Sequence, residues 1–227
     1  TDLDNIKHYP DVFKDGEFVF ITDKTHGSSF RAGTLPLNET VLGRIKQFFT
    51  KETYEFVYGS HRVQKSAFSG KGYYGEDVYG QIAERYKLKD IIPPDYIIYG
   101  EIYGYKIQEL TYGLKDSIDV VFFDVKYKGK YLNMMEFLQF CYQRNLPIAP
   151  ILYTGEYSQE KLEECTNGNT VLGKAKHIRE GCVVRPYIEE NSKCGRKILK
   201  SISAEYLLTK KQDKPEEVID ENTQYPH

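Results

Sequence analysis

The sequence has no tryptophan, two methionines and only four cysteines: Cys141, Cys165, Cys182 and Cys194. None of these forms a Cys-x-x-Cys pair, and no histidine lies at zinc-ligand spacing from them. That excludes the usual zinc modules. Reduced thiols fit the pattern, and with them a cytoplasmic or nuclear setting. No apolar run approaches the roughly 20 residues of a membrane span, so no membrane partner is expected. The opening TDLDNIKHYP lacks the basic and apolar regions of a secretory signal. Charge of one sign is also missing. A net charge of −2 excludes a chain coated in positive charge but leaves room for a local basic patch. No Walker A signature occurs, so any nucleotide is held without a Walker-type P-loop.

What the chain does have is a globular balance over 227 residues, with 40% hydrophobic, 28% charged and twenty tyrosines. Alternating β-rich stretches predict strands at 17–22, 54–58, 96–102, 118–125, 181–185 and 197–202. Asn38 is placed to cap a helix whose face carries Val41, Leu42, Ile45, Phe48 and Phe49. The stretch GSHRVQKSAFSGKGYYG reads as a long loop of a functional kind, followed by a helix through Val78, Ile82, Ala83 and Tyr86. Lys128-Gly129 turns a hairpin. Asn133 with Glu136 resembles a capping box for the next helix, and Ser158 and Ser203 cap two more. Strands and helices mix without a βαβ rhythm, which predicts an α+β fold of largely antiparallel sheets flanked by helices. One domain is expected over 1–209, with a polar tail at 210–227.

Several short strings could carry chemistry. Lys24 follows a buried strand and precedes a glycine turn, so its amine is held on a rigid edge. A lysine nucleophile must be neutral, which demands desolvation or nearby positive charge. Glu101, inside the apolar strand YIIYGEI, is costly without a partner, and a ribose hydroxyl pair would serve. Phe123 at a strand end can stack on a purine. Glu180 offers a hard oxygen to Mg²⁺. Lys200 could neutralise a phosphate, as could Arg62 and Lys65. Taken singly, each string also reads as an ordinary turn, core or solvated residue.

Their order is more telling. Lys24-x-His26-Gly27, Tyr99-Gly100-Glu101-x-Tyr103-Gly104, Phe123-Asp124, Glu180-Gly181-x-Val183-Val184-Arg185 and Leu199-Lys200 together resemble the covalent nucleotidyltransferase superfamily of RNA ligases, DNA ligases and capping enzymes. The match runs from about Asp23 to Lys200. His26 is more similar to RNA ligases, since DNA ligases and capping enzymes typically carry Asp there. Within that group the chain resembles the branch that seals nicked duplexes.

The resemblance implies a nucleotidyltransferase (ATP-grasp-like ligase) fold and an ATP-dependent RNA ligase working through a lysyl–AMP intermediate, with Mg²⁺ or Mn²⁺. Lys24 would be the nucleophile, and Lys200 would contact the α-phosphate. Glu101 would hold the ribose and Phe123 would stack on adenine. Glu180, and Asp23 through water, would serve the metal. Asp23, Thr25, Arg31 and Arg62 would join the nucleotide site. Lys65, Lys71 and the Arg185 region would meet RNA phosphates. The partners implied are RNA ends, in a nicked duplex, bound by a monomer. The segment Asn5–Pro10 with Gly16-Glu17 resembles the lead-in of ligases that carry an N-terminal OB domain; either truncation removed such a domain, the favoured expectation, or it is absent in nature. Relatives often have a second lysine two residues after the last one. Here Ile202 stands in that place, with Arg196 or Lys197 as candidate substitutes. The rival readings are a DNA ligase or capping guanylyltransferase, and a non-catalytic nucleotide- or RNA-binding module.

Overall fold

The computed structural model describes residues 3–37, 53–61, 64–66, 77–174 and 176–212. The helix expected after Asn38, most of the loop from 59 to 75, and the tail beyond 212 lie outside these residues. The strands in chain order are β1 (Phe18–Asp23), β2 (Ser28–Pro36), β3 (Tyr54–Gly59), β4 (Gln64–Ser66), β5 (Tyr96–Gly104), β6 (Ile118–Tyr127), β7 (Lys130–Tyr131), β8 (Ile151–Glu156), β9 (Gly181–Pro186), β10 (Asn191–Ser192), β11 (Gly195–Arg196) and β12 (Leu199–Ile202). The helices are α1 (Val78–Arg85), α2 (Leu88–Ile91), α3 (Met134–Tyr142), α4 (Gln159–Thr166) and α5 (Ala204–Gln212).

The strands form a four-stranded sheet, β12–β9–β1–β8, and a six-stranded sheet, β4–β3–β2–β5–β6–β7. Every strand pairing in them is antiparallel. The expected α+β class is therefore what the chain adopts. Helix ends follow their sequence signals. Asp77 accepts from the Gly80 N–H at 3.2 Å, Glu136 from the Asn133 N–H at 2.8 Å, and Ser158 from the Lys161 N–H at 3.2 Å.

Alternation along the strands sorts the cores. Phe30, Ala32, Ile98, Ile102, Val120, Phe122 and Val125 cover the back of the six-stranded sheet and pack on α1, α2 and α3. Val19, Ile21, Val184 and Leu199 bury the far face of the four-stranded sheet against Leu162 of α4 and against Ile6, Val12 and Phe13 of the N-terminal segment. Phe20, on the opposite face of β1, joins the first core instead. The inner face of the small sheet thus looks toward the large one.

Some strands escape the sequence pattern. β2 begins Ser-Ser and contains Arg31 and Gly33. Only Phe30 and Ala32 point into the helical core, and the other face carries Ser29, Arg31 and Gly33 before it reaches Leu35, so alternation is faint. β8 is an edge strand with no fully buried side chain, so burial left no mark on its sequence. β4 lies inside the stretch expected to be loop.

A buried ion-pair network joins the sheets. Arg185 of β9 is 2% exposed and lies 3.5 Å from Asp124 of β6, also 2% exposed. Arg185 also donates to the carbonyls of Phe123 and Leu132, each at 3.3 Å, and pairs with Glu189. Arg196 closes the network against Asp124 and Glu189 and lies 3.5 Å over the Tyr131 ring. This corrects the expectation that Arg185 meets RNA phosphates: it is sealed between the sheets. Removing one partner of a buried pair leaves an uncompensated charge, at a cost of about 3–5 kcal/mol. Asp124→Ala is expected to lose stability on that scale in urea unfolding, measured against wild type.

Candidate active site

The cleft between the sheets opens where β1 ends. The backbone N–H of Lys24 donates to the Gly181 carbonyl at 3.0 Å, tying the lysine to the start of β9. The Lys24 side chain then meets Glu180, Nζ to Oε1 at 2.8 Å. Both motif glycines have a steric reason. A Cβ on Gly27 would lie 2.1 Å from the Ile102 carbonyl oxygen, and one on Gly181 would lie 2.0 Å from that of Ser201. The loop after Lys24 can press onto β5, and β9 onto β12, only because these side chains are missing.

Glu180 is the hub. Its Oε2 lies 3.2 Å from His26 Nδ1, and His26 Nε2 reaches Glu109 at 3.0 Å. Burial works to raise the Glu180 pKa, but the contacts with His26 and Lys24 outweigh it and hold the carboxyl below its usual range. The His26 N–H donates to the Tyr112 hydroxyl at 2.6 Å, and its ring meets Tyr206 of α5 edge-on at 5.9 Å.

Glu101 sits on the inner face of β5, opposite Ser29 and Val121. Burial pushes its carboxyl from an ordinary 4.5 up to about 7. Lys24, His26 and the Gly27 N–H pull the other way, while the Glu180 carboxylate pushes it higher. Phe123 falls at an irregularity of the β5–β6 register, where Tyr99 faces Asp124 and Gly100 faces Phe122. Alternation places Phe123, like Val121, away from the helical core and against a small cluster with Tyr103, Tyr112 and Ala149, and the irregularity then returns Val125 to the helical core. Lys200 lies opposite Val183, which lies opposite Thr22. That row places Lys200 on the same face of the small sheet as Thr22 and Lys24.

Lys24, Glu101 and Glu180 are thus brought within electrostatic reach of one another, with Lys200 on the Thr22 face of the small sheet and Phe123 on the inner face of the large one. Thr25 is buried beside them, its Oγ1 without a hydrogen-bond partner. Arg31 lies on the face of β2 that carries Ser29, one pair beyond Glu101. Arg62 and Lys71 lie outside the described residues, and Lys65 falls in β4.

The RNA ligase family model matches residues 17–202. The chain belongs to the RNA ligase family. No curated protein sequence matches it. Among solved structures, it is similar to an RNA ligase of Naegleria gruberi. A mutant of that ligase without ligand aligns with TM-score 0.68 and 21% identity, over 93% of this chain and 57% of the other. A second mutant, with ATP and Mn, gives the same values. The form with PPi gives a TM-score of 0.67 at 21% identity, over 93% and 58%. The chain therefore spans under three fifths of those ligases, and the likeness is one of fold.

Three expectations for this RNA ligase family member need correction. Asp23 is 2% exposed and turned to the opposite side of β1 from Thr22. Its Oδ2 accepts from Thr170 Oγ1 at 2.9 Å and from the Val171 N–H at 3.2 Å. It anchors that loop and is not presented to a metal-bound water in the cleft. Arg196 is consumed by the inter-sheet network. Lys197 pairs with Glu17 at 2.6 Å and Glu190 at 2.5 Å. Neither therefore replaces the second lysine of the last motif. Sequence reasoning used His26 as a marker of the family but missed it as a site residue, and missed Glu109, Tyr112 and Tyr206 altogether. Their roles depend on contacts across the fold that no local pattern encodes.

The raised Glu101 carboxyl has a stability consequence. Between about pH 4.5 and 7 the unfolded chain ionises this group while the folded chain keeps its proton, so stability falls as pH rises through that window. Glu101→Gln removes the effect. Thermal melts are expected to show the variant gaining on wild type from pH 4.5 to 7, with a constant gap above it. A gap that does not change with pH counts against the burial.

Proposed function

We propose that this chain is the adenylyltransferase unit of an ATP-dependent RNA ligase that joins 3′-OH and 5′-phosphate RNA ends. The observation that carries the reading is the Lys24 amine, fixed at a strand end in the cleft and 2.8 Å from Glu180. Support comes from the Naegleria ligase of the same fold, whose structures hold ATP and Mn, AMP and Mn, or PPi.

Glu101 and Thr25 fit a nucleoside. A carboxyl poised near pH 7 and an orphan buried hydroxyl both gain from ribose or base hydrogen bonds. Phe123 supplies an aromatic wall for adenine. Lys200, on the Lys24 face, fits the α-phosphate. Among the described residues no three His, Cys, Asp or Glu side chains gather as a metal cage. The donor set therefore suits a hydrated Mg²⁺ or Mn²⁺ held by substrate phosphates, with Glu180 as the protein's contact. Such an ion supplies charge neutralisation at the phosphates when bound.

In the first step the Lys24 nitrogen forms a bond to the α-phosphorus as the bond to pyrophosphate breaks. The amine must leave its hydrogen bond with Glu180 and shed a proton to attack. His26 and Glu109 keep Glu180 oriented while that happens. Catalysis is positioning and charge compensation along the line of displacement. AMP then passes to a 5′-phosphate on RNA, and the 3′-OH displaces it. A nicked duplex as substrate, action as a monomer and an OB domain ahead of this unit extend the same reading.

Incubation with α-labelled ATP and Mg²⁺ or Mn²⁺ tests it. An acid-labile label on the denatured protein is expected, with none from labelled GTP and none on Lys24→Met. A wild-type protein unlabelled under both metals overturns the ligase reading, and label persisting on Lys24→Met overturns the choice of nucleophile.

A further inference from the structure

We propose that the inner face of the six-stranded sheet beyond Glu101 is a stacking subsite for an unpaired nucleobase of the RNA strand, formed by Arg31, Gly33, Leu35, Val57, Ile97 and Tyr99. The subsite rests on the reading that RNA is the substrate, and it takes a nucleotide left unpaired at a strand end, not one paired within a nicked duplex.

The strand register builds the trough. Arg31 pairs with Tyr99, while Gly33 pairs with Ile97 on one side and Val57 on the other. These side chains therefore point away from the helix-covered core, into a shared cavity. Gly33 keeps its floor at backbone level, since a Cβ there would lie 2.7 Å from the Tyr96 carbonyl oxygen and 3.0 Å from Ile97. Leu35, Val57 and Ile97 are half-buried, which gives the trough apolar walls. The Tyr99 ring lies 5.9 Å from that of Tyr131 and lengthens the aromatic surface. Burial pushes the Tyr99 phenol up to about 12, so it stays a hydrogen-bond donor at neutral pH.

Two features favour a nucleic-acid strand over other occupants. The first is charge. Arg31 is half-buried, and no hydrogen bond or ion pair among the described residues holds its guanidinium. An unclaimed guanidinium beside an aromatic ring matches a phosphate next to a base. The second is continuity. The Arg31–Tyr99 pair directly follows the Ser29–Glu101 pair on the same face of β2 and β5. A strand whose end reacts at Lys24 could lay its neighbouring nucleotide here without leaving the sheet. Stacking on an aromatic face tolerates every base, so the subsite would grip RNA without reading its sequence.

The test uses the whole chain and a short 5′-phosphorylated RNA carrying 4-thiouridine. Cross-linking to wild type is expected to label the peptides containing Arg31–Leu35 or Ile97–Tyr99. Tyr99→Ala and Val57→Trp, which remove the ring and fill the trough, are expected to bind RNA about tenfold more weakly. Both should still take label from ATP on Lys24. Cross-links confined to other peptides, or wild-type RNA affinity in both variants, overturn the proposal. A wild-type dimer that Val57→Trp dissociates with RNA affinity unchanged also overturns it, in favour of a contact between copies. Cross-linking at these peptides by a protein that takes no label from ATP sustains the subsite and removes the ligase reading instead.

Discussion

A guanidinium is buried between the two sheets that carry the site residues. Arg185 reaches from β9 to Asp124 and to the carbonyls of Phe123 and Leu132 on the large sheet. Glu180 stands at the entry to the strand that carries Arg185, and Phe123 is the immediate neighbour of Asp124. One ion pair thus fixes the aromatic wall of one sheet against the carboxylate of the other. Apolar packing could hold the sheets as firmly, and buried pairs are often no more stabilising than hydrophobic substitutes. What the pair adds is direction. Its hydrogen bonds are directional, which apolar contacts are not.

Within that frame the site is a set of acids and bases in opposed surroundings. Glu180 is kept ionised by His26 and Lys24, whereas Glu101, on the other sheet, has its carboxyl raised to about 7 by burial. Two carboxyls a short distance apart are thereby given different charge states at the same pH. The ionised one can face a cation. The other can give or take a hydrogen bond from a sugar hydroxyl. Separation of that kind is a common mark of sites built for chemistry.

Much of this was legible in the sequence, for reasons that can be named. Gly27 and Gly181 are forced by backbone contacts closer than any Cβ allows, so they stand out beside Lys24 and Glu180 as fixed motifs. Glu101 was conspicuous because a charge inside YIIYGEI has no cheap explanation. β2 was not legible, because its inner face carries serine, arginine and glycine in place of apolar residues. β8 was missed because an edge strand buries little. Asp23 misled for a simpler reason. Its place beside Lys24 suggested a shared role, but neighbours in a strand point to opposite faces, and Asp23 serves the loop at Thr170. The Arg185 network was invisible because arginines near a strand end look the same whether they meet solvent or a buried carboxylate.

The strand order also bears on how the molecule is made. The six strands of the large sheet come from one continuous stretch, residues 28–131. β1 precedes that stretch, yet its partners β8 and β9 begin at Ile151 and Gly181. β12 is steadied in turn by Asp4, whose carbonyl accepts from the Lys200 N–H at 2.9 Å. A chain emerging from the ribosome can therefore assemble the large sheet while its first strand waits unpaired. Contacts so distant in sequence are slow to close. Lys24, at the end of β1, is fixed in place only when β8 and β9 arrive, so a shorter chain can hold the large sheet without a set position for that lysine.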